Sequence, residues 1–230
     1  TLQTARSLNS KRIVVLFQPH RFSRTQKLAD DFGRVLQAAD RVFVTDVYPA
    51  SELPIDGVSS QTIVDAMKAH GNIPAEVVGA VPQAHYAVGN SLKEGDMLIT
   101  LGAGNVHEAG SKIARDQVVL EDILGECGEG NAKVHLYEPM RKHTTMLVGG
   151  PAQFWVEPQT HNCFARAVKY CRERGIPVPV LGRGSNLLVR DGGIRGVVIH
   201  PSKGIFGEVT VEGDTIIAGA GVRFKKLASV

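Results

Sequence analysis

Two stretches carry residue types whose spacing could do chemistry. In Leu181-Gly182-Arg183-Gly184-Ser185-Asn186-Leu187 two glycines flank an arginine, and two short polar side chains follow. Glycine tolerates positive φ, so such a loop can turn successive backbone N–H groups toward one anion, the chemistry that phosphate oxygens need. It is not the Rossmann fingerprint, because the third residue after Gly184 is Leu187, and no Gly-Lys-Ser/Thr follows as in a P-loop. A glycine-rich turn with no ligand gives the same pattern. The second stretch is His20-Arg21-Phe22-Ser23-Arg24. A guanidinium fork binds carboxylate or phosphate by paired hydrogen bonds. Arginine in a first helical turn also opposes the positive end of the helix dipole, which a bound anion would offset. A surface turn in which Arg24 pairs with Asp30 or Asp31 is the alternative.

Both stretches need elements to place them. Residues 12–17, RIVVLF, form a short apolar run of the kind found in a strand buried on both faces, ending at Gln18. Leu28, Phe32, Val35 and Leu36 then repeat at helical spacing over Thr25–Ala39, with Ser23 as candidate N-cap. Further strands are read at 42–47, 75–80 and 96–102, and helices near 59–69, 83–92 and 106–124. Four strand-helix alternations predict a doubly wound α/β parallel sheet, whose ligands gather at the carboxyl ends of its strands. Gly102-Ala103-Gly104-Asn105 reads as a tight strand-to-helix turn, and His107-Glu108 completes no zinc motif, so no metal site is expected. Asp46 and Glu52 serve equally as turn formers or ligands.

The polar, glycine-rich Glu126–Lys133 marks a boundary, giving domains over 1–125 and 138–230 with a linker at 126–137. Past it come a strand at 153–156, a helix over Asn162–Arg174 stopped by Gly175, a strand at 178–180, the glycine loop, a strand at 196–200 and a hairpin over 208–218. That mixture is α+β. Trp155 is read as a core aromatic before a ligand stacker. The ends read as cut, with no initiator Met and with 223–230 as a helix interrupted near its start.

The chain of 230 residues carries a formal net charge of +3 with dispersed basic residues, which favours a small anionic ligand over nucleic acid. No apolar run approaches the roughly 20 residues a membrane span needs, so no membrane insertion is expected. Three cysteines, Cys127, Cys163 and Cys171, form no CxxC pair, which points to reduced thiols and a cytoplasmic location.

Four ordered blocks give the second half a resemblance: His143–Ala152 (HTTMLVGGPA), LGRGSNLLV from Leu181, DGGIRGVVI from Asp191, and Ile217–Gly221 (IAGAG). They resemble the UDP-N-acetylenolpyruvoylglucosamine reductase family. That likeness implies an FAD domain of the vanillyl-alcohol-oxidase (PCMH) type, with Leu181, Gly182, Arg183, Gly184, Ser185, Asn186 and Leu187 at the diphosphate and Gly219, Ala220 and Gly221 nearer the flavin. Met146-Leu147 stands where the family usually shows Phe-Arg, so no contact is carried over there. In the family NADPH reduces the flavin, and a serine and a glutamate further along serve protonation; neither is assigned in this chain.

The first half resembles the C-terminal domain of the Mur ligases, specifically the UDP-N-acetylmuramate:L-alanine ligases. The likeness rests on FQPHRFSRT from Phe17, DVYPASE from Asp46 and Gly102–Asn105. It implies that His20, Arg21 and Arg24 face the cleft where ATP with Mg²⁺, the acyl phosphate and alanine meet. Together the resemblances imply part of a bacterial ligase–reductase fusion that uses UDP-sugars, L-alanine, ATP, NADPH and FAD, with the catalytic residues outside this stretch and the piece inactive alone. A non-catalytic scaffold module and another FAD oxidoreductase of the same domain type are the competing expectations.

Overall fold

The computed structural model describes residues 2–8, 10–202 and 204–229. The chain divides into two compact units, Thr1–Arg115 and Asp116–Val230.

The first unit opens with a short helix α1 (Leu2–Arg6), then runs β1 (Arg12–Gln18), α2 (Phe22–Val35), β2 (Arg41–Thr45), α3 (Ser60–His70), β3 (Ala75–Gly79), α4 (Val81–Ser91) and β4 (Asp96–Gly102). The strands form one parallel sheet in the order β3-β2-β1-β4. The chain steps outward from β1 to β3 and then returns to the far side of β1. Right-handed crossovers therefore place α2 and α3 on one face and α4 on the other, the doubly wound plan. Central position explains composition. Ile13 to Phe17 are buried because β1 has neighbours on both edges and layers on both faces. Alternate β1 and β2 residues Ile13, Val15, Phe17, Val42 and Val44 pack with Ile63, Val64 and Met67 of α3. Ser59 caps α3, its hydroxyl accepting from Gln61 N at 3.2 Å while Thr62 Oγ1 accepts from Ser59 N.

Carboxylates pin the amino end of this sheet. Asp40 accepts from Ile13 N at 2.6 Å and pairs with Arg6 at 2.7 Å, and the Arg6 hydrogen bond holds its pKa below the usual range. Burial pushes Asp96 up, but the Arg12 hydrogen bond, the Lys93 amide and nearby positive charge together outweigh it and leave Asp96 lowered. Depressed carboxylate pKa values mean that the unfolded chain binds more protons. Their stabilisation is complete above the ordinary carboxylate range and is lost as pH falls through the folded values. Unfolding followed by circular dichroism should show a urea midpoint that is flat near neutrality and falls below about pH 4. A midpoint unchanged down to pH 3 would contradict these pairings.

α5 (His107–Cys127) contributes to both units, since the division falls within it. The second unit continues with β5 (Ala132–Pro139), β6 (Pro151–Pro158), α6 (His161–Glu173), β7 (Ile194–Ile199), the hairpin β8 (Val209–Glu212) and β9 (Thr215–Ala218), and α7 (Phe224–Leu227). β5 pairs antiparallel and β7 parallel with the central β6, so this sheet is mixed. β5 occupies much of the stretch read as linker. Its alternating polar and apolar residues, Lys133, Val134, His135 and Leu136, are masked in sequence by the adjoining Gly128 and Gly130. Val180 makes only an isolated bridge to Ile199 in place of a strand over 178–180. The helix expected over 223–230 is confined to α7, and Val230 lies outside the described residues.

Against the expectation of reduced thiols, Cys127 and Cys163 are paired as a disulfide. They lie 36 residues apart, so local spacing gives no hint that the end of α5 meets the start of α6. Cys171 is a free, buried thiol whose pKa burial pushes up to about 11. Among the described residues, no helix is long and apolar enough to cross a membrane.

Candidate functional site

Sheet topology reverses between β1 and β4, and the residues after these two strands come together there. Gln18, buried at the end of β1, spans the switch point: its Nε2 donates to Asn105 Oδ1 at 3.3 Å and its Oε1 accepts from Val106 N at 3.2 Å. Next along, His20 forms a bridge to Tyr48 and stacks on its ring at 5.7 Å and 12°. Arg21 N donates to Tyr48 O and Tyr48 N to Pro19 O, each at 2.8 Å. The loops after β1 and β2 are thus zipped together.

Ser23 is not the N-cap of α2. Arg21 holds that position, at φ 65°, with no side-chain cap bond, and the helix starts at Phe22, three residues before the expected Thr25. The anion at this helix start is intramolecular: Glu52 accepts from Ser23 Oγ at 2.7 Å and Ser23 N at 3.0 Å. The Ser23 hydroxyl, its amide and the Arg21 charge hold the Glu52 carboxyl below its usual range. Sequence spacing gave no preference for this role, since Glu52 sits 29 residues downstream. Ala50 and Ser51 share the left-handed region with Arg21, at φ 47° and 71°. Such backbone costs about 1–3 kcal/mol per residue and gathers at functional sites. Arg24 is exposed and makes no ion pair among the described residues; Asp31 pairs instead with Arg34 and Asp30 with His70, each at 2.6 Å. The structure therefore leaves Arg21 and Arg24 exposed beside His20, at the carboxyl end of β1.

In the second unit the glycine loop is built by interlocking backbones. Gly184, at φ 63°, passes so close to His143 that a Cβ would overlap the His143 carbonyl oxygen. Gly193, at φ 74°, stands in the same relation to Pro151, and Gly150 N donates to Arg190 O at 3.0 Å. Residues 140–151 and 181–193 thus brace one another over a core of Met140, Ala152, Trp155, Val189 and Val198, against which Leu181 and Leu187 pack. The exposed part of the loop is different. Gly182 has open space where a Cβ would be, and Arg183, Ser185 and Asn186 are exposed. Among the described residues, no backbone N–H from Gly182 to Leu187 donates to a protein acceptor, though Gly184 itself is buried. Buried or half-buried amides without partners call for a ligand or water.

Trp155 is 1% exposed and belongs to the core, as its place in a strand predicts. Gly219 and Gly221 lie against the chain itself: a Cβ on Gly219 would stand 2.5 Å from Phe206 backbone, and one on Gly221 would strike Pro201 O. Their N–H groups donate to Glu208 O and Phe206 O, while Ala220 between them is exposed.

A family model described as Mur ligase, glutamate ligase domain matches residues 1–104, and one described as FAD binding domain matches residues 152–230. The chain is 44% identical over 113 residues to the UDP-N-acetylmuramate–L-alanine ligase of Solibacter usitatus, covering 49% of this chain and 24% of that one. It is 46% identical over 105 residues to the enzyme of the same name from Desulfotalea psychrophila, covering 46% and 23%. With the UDP-N-acetylenolpyruvoylglucosamine reductase of Desulforamulus reducens it shares 47% identity over 95 residues, 41% of this chain and 31% of the reductase. The chain thus spans about a quarter to a third of the length of these relatives. Similarity to a Mur ligase, glutamate ligase domain over residues 1–104 and to an FAD binding domain over residues 152–230 thus stands in one polypeptide.

Proposed function

We propose that the second unit binds FAD with its diphosphate on the loop Leu181–Leu187, within a domain of the vanillyl-alcohol-oxidase type. The observation that carries this reading is the row of backbone N–H groups from Gly182 to Leu187 that find no protein acceptor among the described residues. A glycine loop presenting several such donors fits two phosphate groups, and Gly182, with no side chain and open space outside it, leaves room for them. Gly219, Ala220 and Gly221 would lie nearer the flavin, with Ala220 the exposed member. FAD, when bound, supplies hydride transfer; the chain's own residues hold and orient it.

The first unit, on this reading, contributes His20, Arg21 and Arg24 to a cleft where a phosphorylated intermediate and an amino acid carboxylate meet. Exposed guanidinium groups beside a switch point suit both anions. The whole protein is then a bifunctional, cytoplasmic bacterial enzyme of peptidoglycan precursor synthesis. It takes NADPH, ATP with Mg²⁺, L-alanine and UDP-sugars, with the ligase part assigned to 1–125 and the flavin part to 138–230. The reductase's product would be the ligase's substrate, and tethering raises its partner's effective concentration.

Gly182→Ala tests the flavin site without disturbing the fold, because its Cβ meets nothing within 4 Å and its backbone is not left-handed. Titrating FAD against flavin fluorescence should show saturable binding by the parent chain. The variant should bind about tenfold more weakly, roughly 1.4 kcal/mol, at an unchanged unfolding midpoint. Equal affinity in both chains would remove the diphosphate from this loop.

A further inference from the structure

We propose that His143 and His200, which both pack against the buried Trp155 and lie 6.1 Å from each other, are positioning residues for the glycine loop, fixing the backbone that receives the diphosphate. The proposal rests on the flavin reading for its consequence in binding, but its structural content stands on the loop itself.

The two rings hold the loop at different points. His200 contacts Leu181 O through Nδ1 at 2.9 Å. A carbonyl oxygen only accepts, so Nδ1 carries the proton. Leu181 is also held through its N–H, which donates to Ile199 O at 2.8 Å. The first residue of the loop is therefore clamped at both its polar groups. His143 acts three residues on. Its backbone forms the wall against which Gly184 closes, and the next residue but one, Thr145, donates its N–H to Gly184 O at 3.3 Å. Thr144 is buried, and its hydroxyl donates to Val148 O at 2.9 Å, keeping the 144–148 turn closed.

The His143 backbone is held by its N–H, which donates to Met140 O at 2.8 Å, and by its ring. That ring stacks on Trp155 at 3.9 Å and 27°, and its Nε2 lies 2.9 Å from Glu138 Oε1, an oxygen also paired with Lys142 Nζ at 3.2 Å. Trp155 also meets the His200 ring at 4.9 Å, tilted by 35°, and donates through Nε1 to Glu157 at 3.3 Å. One immobile indole thus carries two imidazoles, one gripping Leu181 and the other standing behind Gly184. The exposed residues Gly182 and Arg183 lie between these anchors. Ligand-facing amides gain affinity when they are held in place before the ligand arrives.

His200→Phe and His143→Phe keep an aromatic ring against Trp155 while removing the Leu181 and Glu138 contacts. Two measurements are needed on the full chain: amide signals of residues 182–187 by nuclear magnetic resonance without flavin, and FAD affinity. His200→Phe should shift the Gly182 and Arg183 amides and His143→Phe those of Gly184 and Ser185, each with affinity lowered about tenfold. His143→Gln, which keeps a donor toward Glu138, should recover part of that loss. Val198→Ala is the control, because it trims the same core: it should lower the unfolding midpoint without selectively moving the loop amides. Loop signals unchanged in both phenylalanine variants, or moved as much by Val198→Ala, would overturn the positioning role. Failure of the parent chain to bind FAD would overturn the flavin reading instead, and the amide signals would still decide this one.

Discussion

Replacing Gly193 with alanine is expected to destabilise the second unit by about 2–5 kcal/mol, more than any change on the exposed loop. Two costs add. Gly193 lies at φ 74°, where an L side chain pays about 1–2 kcal/mol. A Cβ there would also overlap the Pro151 carbonyl oxygen and stand 2.9 Å from its carbon, and overpacking of backbone against backbone adds roughly 1–3 kcal/mol. No flexible side chain is available to yield. Trp155, the only tryptophan, lies in the core of this unit and reports its unfolding by fluorescence. The fluorescence midpoint in urea should fall, while the far-ultraviolet signal from the first unit keeps its own midpoint, since two compact units need not unfold as one. An unchanged fluorescence midpoint would mean that residues 140–151 and 181–193 do not interlock as described. The contrast with Gly182→Ala matters for function. Loss of flavin binding in a Gly193 or Gly184 variant follows from a broken brace, whereas loss at Gly182 reports on the ligand.

That division between glycines was not legible in the sequence. Gly182 and Gly184 occupy equivalent places in a GxG and both serve a tight turn, yet one faces open space and the other presses on His143, 41 residues earlier in the chain. Only the fold supplies the partner. The parallel sheet was legible, because β1 and β2 are short apolar runs separated by strong helical periodicity. What failed were features whose cause lies far away in sequence. Ser23 has the chemistry of an N-cap, but zipping of Pro19–Arg21 to Tyr48 starts α2 early and brings in Glu52 as its anion. β5 was hidden because the glycines before it read as linker, while its pairing residues 151–158 lie well downstream. Cys127 and Cys163 belong to the same class of feature, joined by the meeting of two helix ends.

Arg12→Met provides the matching test in the first unit, because Arg12 fixes the register that brings the switch-point residues together. Arg12 and Asp96 lie opposite each other at the amino ends of β1 and β4, and the same register sets Gln18 opposite Gly102 at the carboxyl ends. The guanidinium binds Asp96 by both oxygens, with Nε at 3.0 Å from Oδ1, and also donates to Ser91 O at 2.8 Å. Asp96 is only 4% exposed in its side chain and Arg12 26%. Methionine would keep most of the aliphatic packing but leave a buried carboxylate with the Lys93 amide alone, at 2.8 Å. Breaking a fully buried pair from one side costs about 3–5 kcal/mol, and the partial exposure of Arg12 reduces this to roughly 2–3 kcal/mol. Urea unfolding at pH 7 should show that loss. It should shrink as pH falls into the ordinary carboxylate range, since without Arg12 burial pushes the Asp96 carboxyl up and its protonation removes the stranded charge. Adding Asp96→Leu should restore much of the stability by replacing the stranded charge with apolar packing. A pH-independent loss, or a double variant weaker than Arg12→Met alone, would assign Arg12 a packing role and leave the β1–β4 register, and with it the placement of Gln18 beside Val106, to the strands themselves.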